Sequence, residues 1–296
     1  MEYLWLGSNF MPSVITYTLS FIALVIGSIT DLKTREVHDW VNYGLVLSGL
    51  GLNLLFSIIY SSPEFMINSI LGLAIFFGIA YMMFYAGQWG GGDSKMLMGL
   101  GAMMGIDVGS FSSQFLFAFL ISALFAGAVY GLFWSFYLVL KNRKKFLHEF
   151  ARALSQKNTA KIKKLLLFSL ILLLILFFIA DSHLKIFILL PAFLALSAFY
   201  LWIFVRTVEK TCMHKTVEPS RLTEGDWIVK DIYANGKYIT GPKDLGISKS
   251  QIKKLIGLYK KRKVRKILIK EGIPFVPSFL VAFIITWIFG SPLAWI

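Results

Sequence analysis

Seven stretches of this chain are apolar for long enough to settle which solvent they fold in. They lie near residues 12–30, 41–60, 67–87, 112–140, 164–181, 184–205 and 273–295. A hydrocarbon core about 30 Å thick takes roughly 20 helical residues to cross. An eighth, shorter run lies near 94–106. Lipid offers no partner to a backbone N–H or C=O, so each run reads as a helix that satisfies its own backbone. Composition agrees, since 57% of the 296 residues are hydrophobic and only 16% are charged. About a quarter are charged in soluble domains. An ordinary cytosolic enzyme, a disordered chain and a collagen-like fibre are excluded. The lone cysteine, Cys212, excludes an internal disulfide framework and a cysteine-cluster metal site. Met1 to Phe10 lacks a basic n-region, so the first helix reads as a retained anchor. The expected fold class is an all-α polytopic membrane protein of about 6–8 transmembrane helices with a small α+β cytosolic subdomain.

The net charge of +14 orients this bundle. Eight spans place the loops 31–40, 88–93, 141–163 and 206–272 on one side, with 29 of the 30 Lys and Arg residues on that face and only Lys185 opposite. The positive-inside bias makes that face cytoplasmic and puts both termini outside. The surplus is therefore chiefly a topology signal. Residues 141–164 add a second reading, a helix against anionic lipid, because Phe146, Leu147, Phe150 and Leu154 recur at helical spacing. Nucleic acid is not an expected partner, since no recognisable binding fold accompanies the charge.

The chain divides into catalytic transmembrane helices (1–140), a basic cytosolic loop (141–163), a transmembrane hairpin (164–205), an α+β subdomain (206–271) and a last helix (272–296). Within the subdomain, Trp227 to Thr240 reads as a β-hairpin turning at Asn235-Gly236, a pair that supplies the positive φ angles of a type I′ turn. Ser248 with Gln251 forms a capping-box pattern that opens a helix to about Arg262, and Val264 to Ile269 reads as a further strand. Cys212 and His214 are adjacent, but two ligand types do not make a zinc site.

Ionisable residues at membrane depth are costly and point to function. Asp31 closes the first helix and opens Asp31-Leu-Lys33-Thr-Arg35-Glu-Val-His-Asp39. Asp93 follows three glycines in Gly90-Gly91-Gly92-Asp93-Ser-Lys95, at the start of the short run. The topology brings both to the same membrane face. Two nearby carboxylates share a proton, so one can accept a proton from water while the other polarises a peptide carbonyl. The bland alternative is that each caps a helix. That alternative suits Asp93 at a helix start and suits Asp31 poorly, because a helix C-terminus repels a carboxylate. Gly90, Gly91 and Gly92 are expected to take unusual backbone angles or admit a close backbone, including an extended peptide pairing as an added strand. Gly101 and Gly105 form a helix-packing pair. The span after Asp93 would be roughly 20 Å long, so the expectation is a thinned bilayer or a wet recess at one end. His38, Asp39, Glu224 and Asp226 are weaker candidates, and Glu2, Glu64, Asp107 and Asp181 fall on the outer side.

Gly90-Gly91-Gly92-Asp93, together with Asp31 after the first helix, resembles the type IV prepilin peptidase family of G-x-G-D membrane aspartic proteases. Thr223-Glu-Gly-Asp-Trp227 and Gly272-Ile-Pro-Phe-Val-Pro277 look like the archaeal branch, the preflagellin and prepilin peptidases. The resemblance covers about 31–105 and 222–285. It implies cleavage of short basic leaders from class III signal-peptide precursors of archaellins or pilins. Asp31 and Asp93 take the catalytic positions, and Gly90, Gly91, Gly92, Lys95, Lys33 and Arg35 shape the site. No cofactor or metal is implied. With one cysteine, the paired-cysteine zinc domain of bacterial members is missing, which puts their methylating activity in doubt. Presenilin-like proteases also use G-x-G-D, but the Tyr-Asp pair and the Pro-Ala-Leu motif are missing here. An ion-coupled transporter would show internal repeats, and none is visible. A membrane scaffold with a basic lipid-binding loop is the remaining reading.

Overall fold

The computed structural model describes residues 10–107, 115–234 and 236–290. Helices dominate. The first half comprises α1 (Phe10–Thr34), α2 (Asp39–Ile59), α3 (Glu64–Tyr85), α4 (Gly91–Met104) and α5 (Phe115–Lys141). There follow α6 (Arg143–Ser155), α7 (Lys157–Ile179) and α8 (Ser182–Cys212). A small α/β unit holds β1 (His214–Val217), β2 (Trp227–Ile228), β3 (Ile232–Ala234), β4 (Lys237–Thr240), α9 (Lys249–Lys260) and β5 (Ile267–Lys270), and α10 (Val276–Phe289) closes the described chain. Among the described residues six helices, α1, α2, α3, α5, α7 and α8, are long and apolar enough to cross a membrane. Each of the eight expected runs is largely helical over its described residues, with 112–114 and 291–295 lying outside them, but α4 and α10 have only 14 residues each.

Helix α4 is the centre of the bundle rather than a short span facing lipid. It packs against α1, α2 and α3, and Met96, Leu97, Leu100, Ala102 and Met103 are fully enclosed. That enclosure removes the length mismatch expected from the sequence, because a helix walled by protein need not match the bilayer. Close approach is possible because glycine faces glycine. A Cβ on Gly72 of α3 would collide with the Gly101 carbonyl, and one on Gly105 would press on Asn68 and Ser69. The last carbonyls of α4, which have no partner within the helix, are taken by neighbours. Asn53 Nδ2 donates to Ala102 O at 3.3 Å and to Met103 O at 3.2 Å. Ser69 Oγ donates to Ala102 O at 2.5 Å.

Helices α7 and α8 form a hairpin largely outside this core, with most of their large apolar side chains exposed. Helix α6 lies against α8. Its Phe146 is buried beside Phe204 and stacks on Phe150, whereas Leu147 faces outward. The apolar stripe read from residues 146–154 is thus divided between α8 and the exterior.

The α/β unit differs from the sequence expectation in its pairing. The strand order is β1-β5-β2, antiparallel throughout, and the hairpin β3–β4 is a separate two-stranded sheet. Trp227 and Ile228 therefore pair with Lys270 and Ile269, not with the hairpin's second arm. Ala234 stands opposite Lys237 and Gly236 takes φ 75°, while Asn235, the other half of the expected turn, lies outside the described residues. Strand β1 was not expected; it follows directly on α8, and its hydrophilic sequence gave no alternation to read. The Ser248–Gln251 capping box forms as the spacing predicts, and α9 contributes Leu255 to a core with Ile228, Ile247, Ile267 and Ile269.

Candidate active site

Asp31 stands in the last turn of α1 and is only 5% exposed. Its carboxylate serves another helix. Oδ2 accepts from the backbone N–H of Val276 at 3.0 Å, the first residue of α10. A carboxylate at a helix N-terminus satisfies an orphan donor and meets the favourable end of the dipole. Helix α10 has no local alternative, because its N-cap is Phe275, whose side chain makes no cap bond. The capping reading of Asp31 therefore holds after all, with α10 rather than α1 as the capped helix.

Asp93 caps its own helix. Gly90 is extended at the N-cap of α4, and Asp93, three residues on, accepts from the Gly90 N–H through Oδ2 at 2.9 Å. This is the returning half of a capping box. Glycines 90–92 do not behave as one expected feature. None of the three has a positive φ, and Gly91 and Gly92 already belong to α4, so they form a helix start rather than an extended edge. Gly92 is needed for space: a Cβ there would lie 3.3 Å from Val37.

Packing one turn deeper brings the two helix ends that carry the carboxylates together. Gly27, a turn before Asp31, has so little room that a Cβ would lie 2.6 Å from Met96 Cε and 3.3 Å from Val276 Cγ1. Met96 is a turn beyond Asp93. Helices α1, α4 and α10 thus converge at Gly27, with Val37 between Gly27 and Gly92. Asp31 and Asp93 stand above that contact within electrostatic reach of each other. Two carboxyl groups whose charges act on each other favour the state in which one of them keeps its proton.

Arg35 ties the surroundings together. It ends α1 in the left-handed region at φ 63°, its N–H donating to Asp31 O at 2.9 Å. Its guanidinium donates to Gly272 O at 3.4 Å and lies 4.9 Å over the Trp134 ring of α5. Lys95 turns the other way, to Asp39 of α2 at 2.6 Å and over the Tyr43 ring. Lys33 is exposed. Of the predicted site-shaping residues, Gly90 donates to the Asp93 carboxylate and Arg35 to the Asp31 backbone carbonyl, Gly91 and Gly92 pack near Phe84 and Val37, and Lys95 and Lys33 turn away.

Trp89, Gly127 and Gly87, not singled out from the sequence, complete the surroundings together with Asp226 and Trp227. Trp89 is buried against Phe275 and Phe279 at the start of α10. A Cβ on Gly127 of α5 would strike the Phe275 ring. Gly87 takes φ 67°, the unusual angle expected of the later glycines, and Trp227 of the α/β unit sits over it, 3.1 Å from a Cβ placed there. Beside Trp227, burial raises the carboxyl pKa of Asp226, and the charges of Glu36 and Glu271 act in the same direction. Among the described residues no cluster of three or more His, Cys, Asp or Glu could hold a metal ion.

Residues 18–132, which include both aspartates, match the type IV leader peptidase family. The resemblance drawn from Asp31 and the G-x-G-D segment falls within that stretch. Among individual proteins, the chain is similar to the preflagellin peptidase of Methanocaldococcus jannaschii, with 41% identity over 91 residues, covering 31% of this chain and 38% of that protein. It is likewise similar to the preflagellin peptidases of Methanococcus maripaludis (40% over 91 residues) and Methanococcus voltae (40% over 93 residues), covering 31% of this chain and 39% of each relative. The similarity thus spans under two fifths of the length of these curated relatives.

Proposed function

We propose that the protein is a membrane aspartic endopeptidase that removes short basic leader peptides from class III signal-peptide precursors, archaellins or type IV pilins. The observation that carries this reading is the mutual placement of Asp31 and Asp93, each oriented by a helix N-terminus and within electrostatic reach of the other. In the reaction, the ionised carboxylate takes a proton from water as the water oxygen bonds to the scissile carbonyl carbon. The protonated carboxyl gives its proton to the carbonyl oxygen. Return of one proton to the amide nitrogen and one to the other carboxylate then breaks the C–N bond. The preflagellin peptidase relatives support the substrate class.

Localisation follows from charge. The basic residues gathered on one face orient the site toward the cytoplasm, where a precursor emerges. The helices up to residue 140 carry the chemistry and the α/β unit, which begins at His214 because α8 runs on to Cys212 rather than ending at 205, covers it. The basic segment expected as a loop is helix α6 with the first turns of α7, which lie against anionic lipid while the α7–α8 hairpin anchors them. Co-expression with a precursor, read as a mobility shift on cleavage, tests the proposal. Asp31→Asn and Asp93→Asn should each leave the precursor intact, and full processing by either would refute the acid pair.

A further inference from the structure

Tyr130 of α5 presents a buried hydroxyl for which the described residues provide no hydrogen-bond partner. Three observations place it on the side of Asp31 and Arg35. Gly127, one turn before it, receives the ring of Phe275, next to the Val276 N–H that Asp31 accepts. Trp134, one turn after it, stacks on the Tyr130 ring at 5.9 Å and 30° and carries Arg35 on its own ring. The charged groups whose fields reach the hydroxyl are Asp31 and Arg35.

A lone buried hydroxyl is costly unless it serves a partner that comes and goes. Asp31 is near, but its hydrogen bond is made with α10, so the hydroxyl is not what orients it. An extended peptide entering beside Asp31 brings carbonyl oxygens, which are acceptors. The ring meanwhile stacks on Trp134, which itself lies under Arg35, so the donor is held on one side before substrate arrives, as transition-state stabilisation requires. Resting on the peptidase reading above, we propose that the Tyr130 hydroxyl is a third catalytic group. It donates to the scissile carbonyl oxygen and strengthens that bond as negative charge builds on the oxygen during attack by water.

The test compares purified full-length wild type, Asp93→Asn and Tyr130→Phe in lipid vesicles, with a precursor peptide carrying a basic leader. Tyr130→Phe keeps the ring on Trp134 and deletes only the hydroxyl. The expected result is a fall in kcat of about a hundredfold or more with KM changed less than about threefold. The thermal midpoint should be equal or higher, because no bond within the protein is lost. Unchanged kcat, or a rise in KM alone, would overturn the role. A Tyr130→Phe protein that fails to fold would also overturn it, by showing that the hydroxyl has a structural partner. Cleavage by wild type and not by Asp93→Asn, with Tyr130→Phe fully active, would refute Tyr130 and leave the peptidase reading standing. No cleavage by wild type would remove both.

Discussion

The carboxylate of Asp31 accepts a hydrogen bond from the backbone N–H of Val276, 3.0 Å away and 245 residues along the chain. One side chain therefore joins the end of the first helix to the start of the last described one. Its loss should be felt in stability as well as in chemistry, and the two can be separated. Asparagine keeps an oxygen that accepts from Val276, and alanine does not. We expect Asp31→Ala to be less stable than Asp31→Asn by about 0.5–2 kcal/mol, the range for losing a helix cap, while both are inactive. Unfolding of the two variants in the same detergent measures the difference, and identical midpoints would show that Asp31 does not cap α10.

Glycine packing around α4 gives a paired prediction on one helix. A Cβ at Gly72 meets the Gly101 backbone, whereas Gly78 of the same helix has nothing within 4 Å of that position. Gly72→Ala should lose about 1–3 kcal/mol through overpacking, and Gly78→Ala should be neutral or slightly stabilising. Equal effects in an unfolding titration would mean that α3 and α4 are not in backbone contact.

The loop before α4 supports the α/β unit at one point. Gly87, at φ 67°, lies under Trp227. A side chain there is strained by its backbone angle, at roughly 1 kcal/mol or more, and must also displace the indole. Gly87→Val should therefore loosen the unit from the bundle, making residues 214–270 more sensitive to limited proteolysis. Trp227→Ala should do the same without backbone strain. Unchanged digestion in both variants would count against this contact.

Asp226 gives the α/β unit a pH dependence of definite sign. Burial raises its carboxyl above the ordinary value of 3.8, with Glu36 and Glu271 acting in the same direction. The folded state then holds the proton more tightly than the unfolded state. This contribution is fully present below the unfolded value and is lost as pH rises through the folded one. Asp226→Asn retains an acceptor for the Thr223 N–H that Asp226 now takes at 2.8 Å. The variant's midpoint should gain on wild type as pH rises above the ordinary carboxyl value of 3.8. Parallel pH profiles would contradict the burial argument.

Much of this arrangement is legible in the residues themselves, because hydrophobic run length reports the solvent directly. The helices and the Gly101–Gly105 packing pair follow from local pattern, whereas the protein-walled position of α4 at the centre of the bundle does not, because a short apolar run reads equally as a short span facing lipid. What the pattern does not carry is partnership at long range. Nothing near Asp31 announces that its carboxylate will cap a helix beginning at Val276, although Gly272 to Pro277 stands out as a motif. Trp227-Ile228 alternates as well with a hairpin as with β5, and only the tertiary core of Ile228, Ile247 and Ile269 selects the second. Three consecutive glycines signal room or unusual angles without saying which. Gly92 needs room and Gly87 takes the angle. Tyr130 gives no local signal at all, since an aromatic residue in an apolar helix reads as lipid-facing until its hydroxyl is seen to be buried.

The central claim is that Asp31 and Asp93 act together on a peptide bond. It is tested most directly by incubating purified protein in vesicles with a precursor peptide and identifying the products by mass. Wild type should release the basic leader at one bond, and Asp31→Asn and Asp93→Asn should each lose about a thousandfold or more in kcat while remaining folded. Cleavage by either variant at a rate near wild type, or no cleavage by the wild type itself, would contradict it.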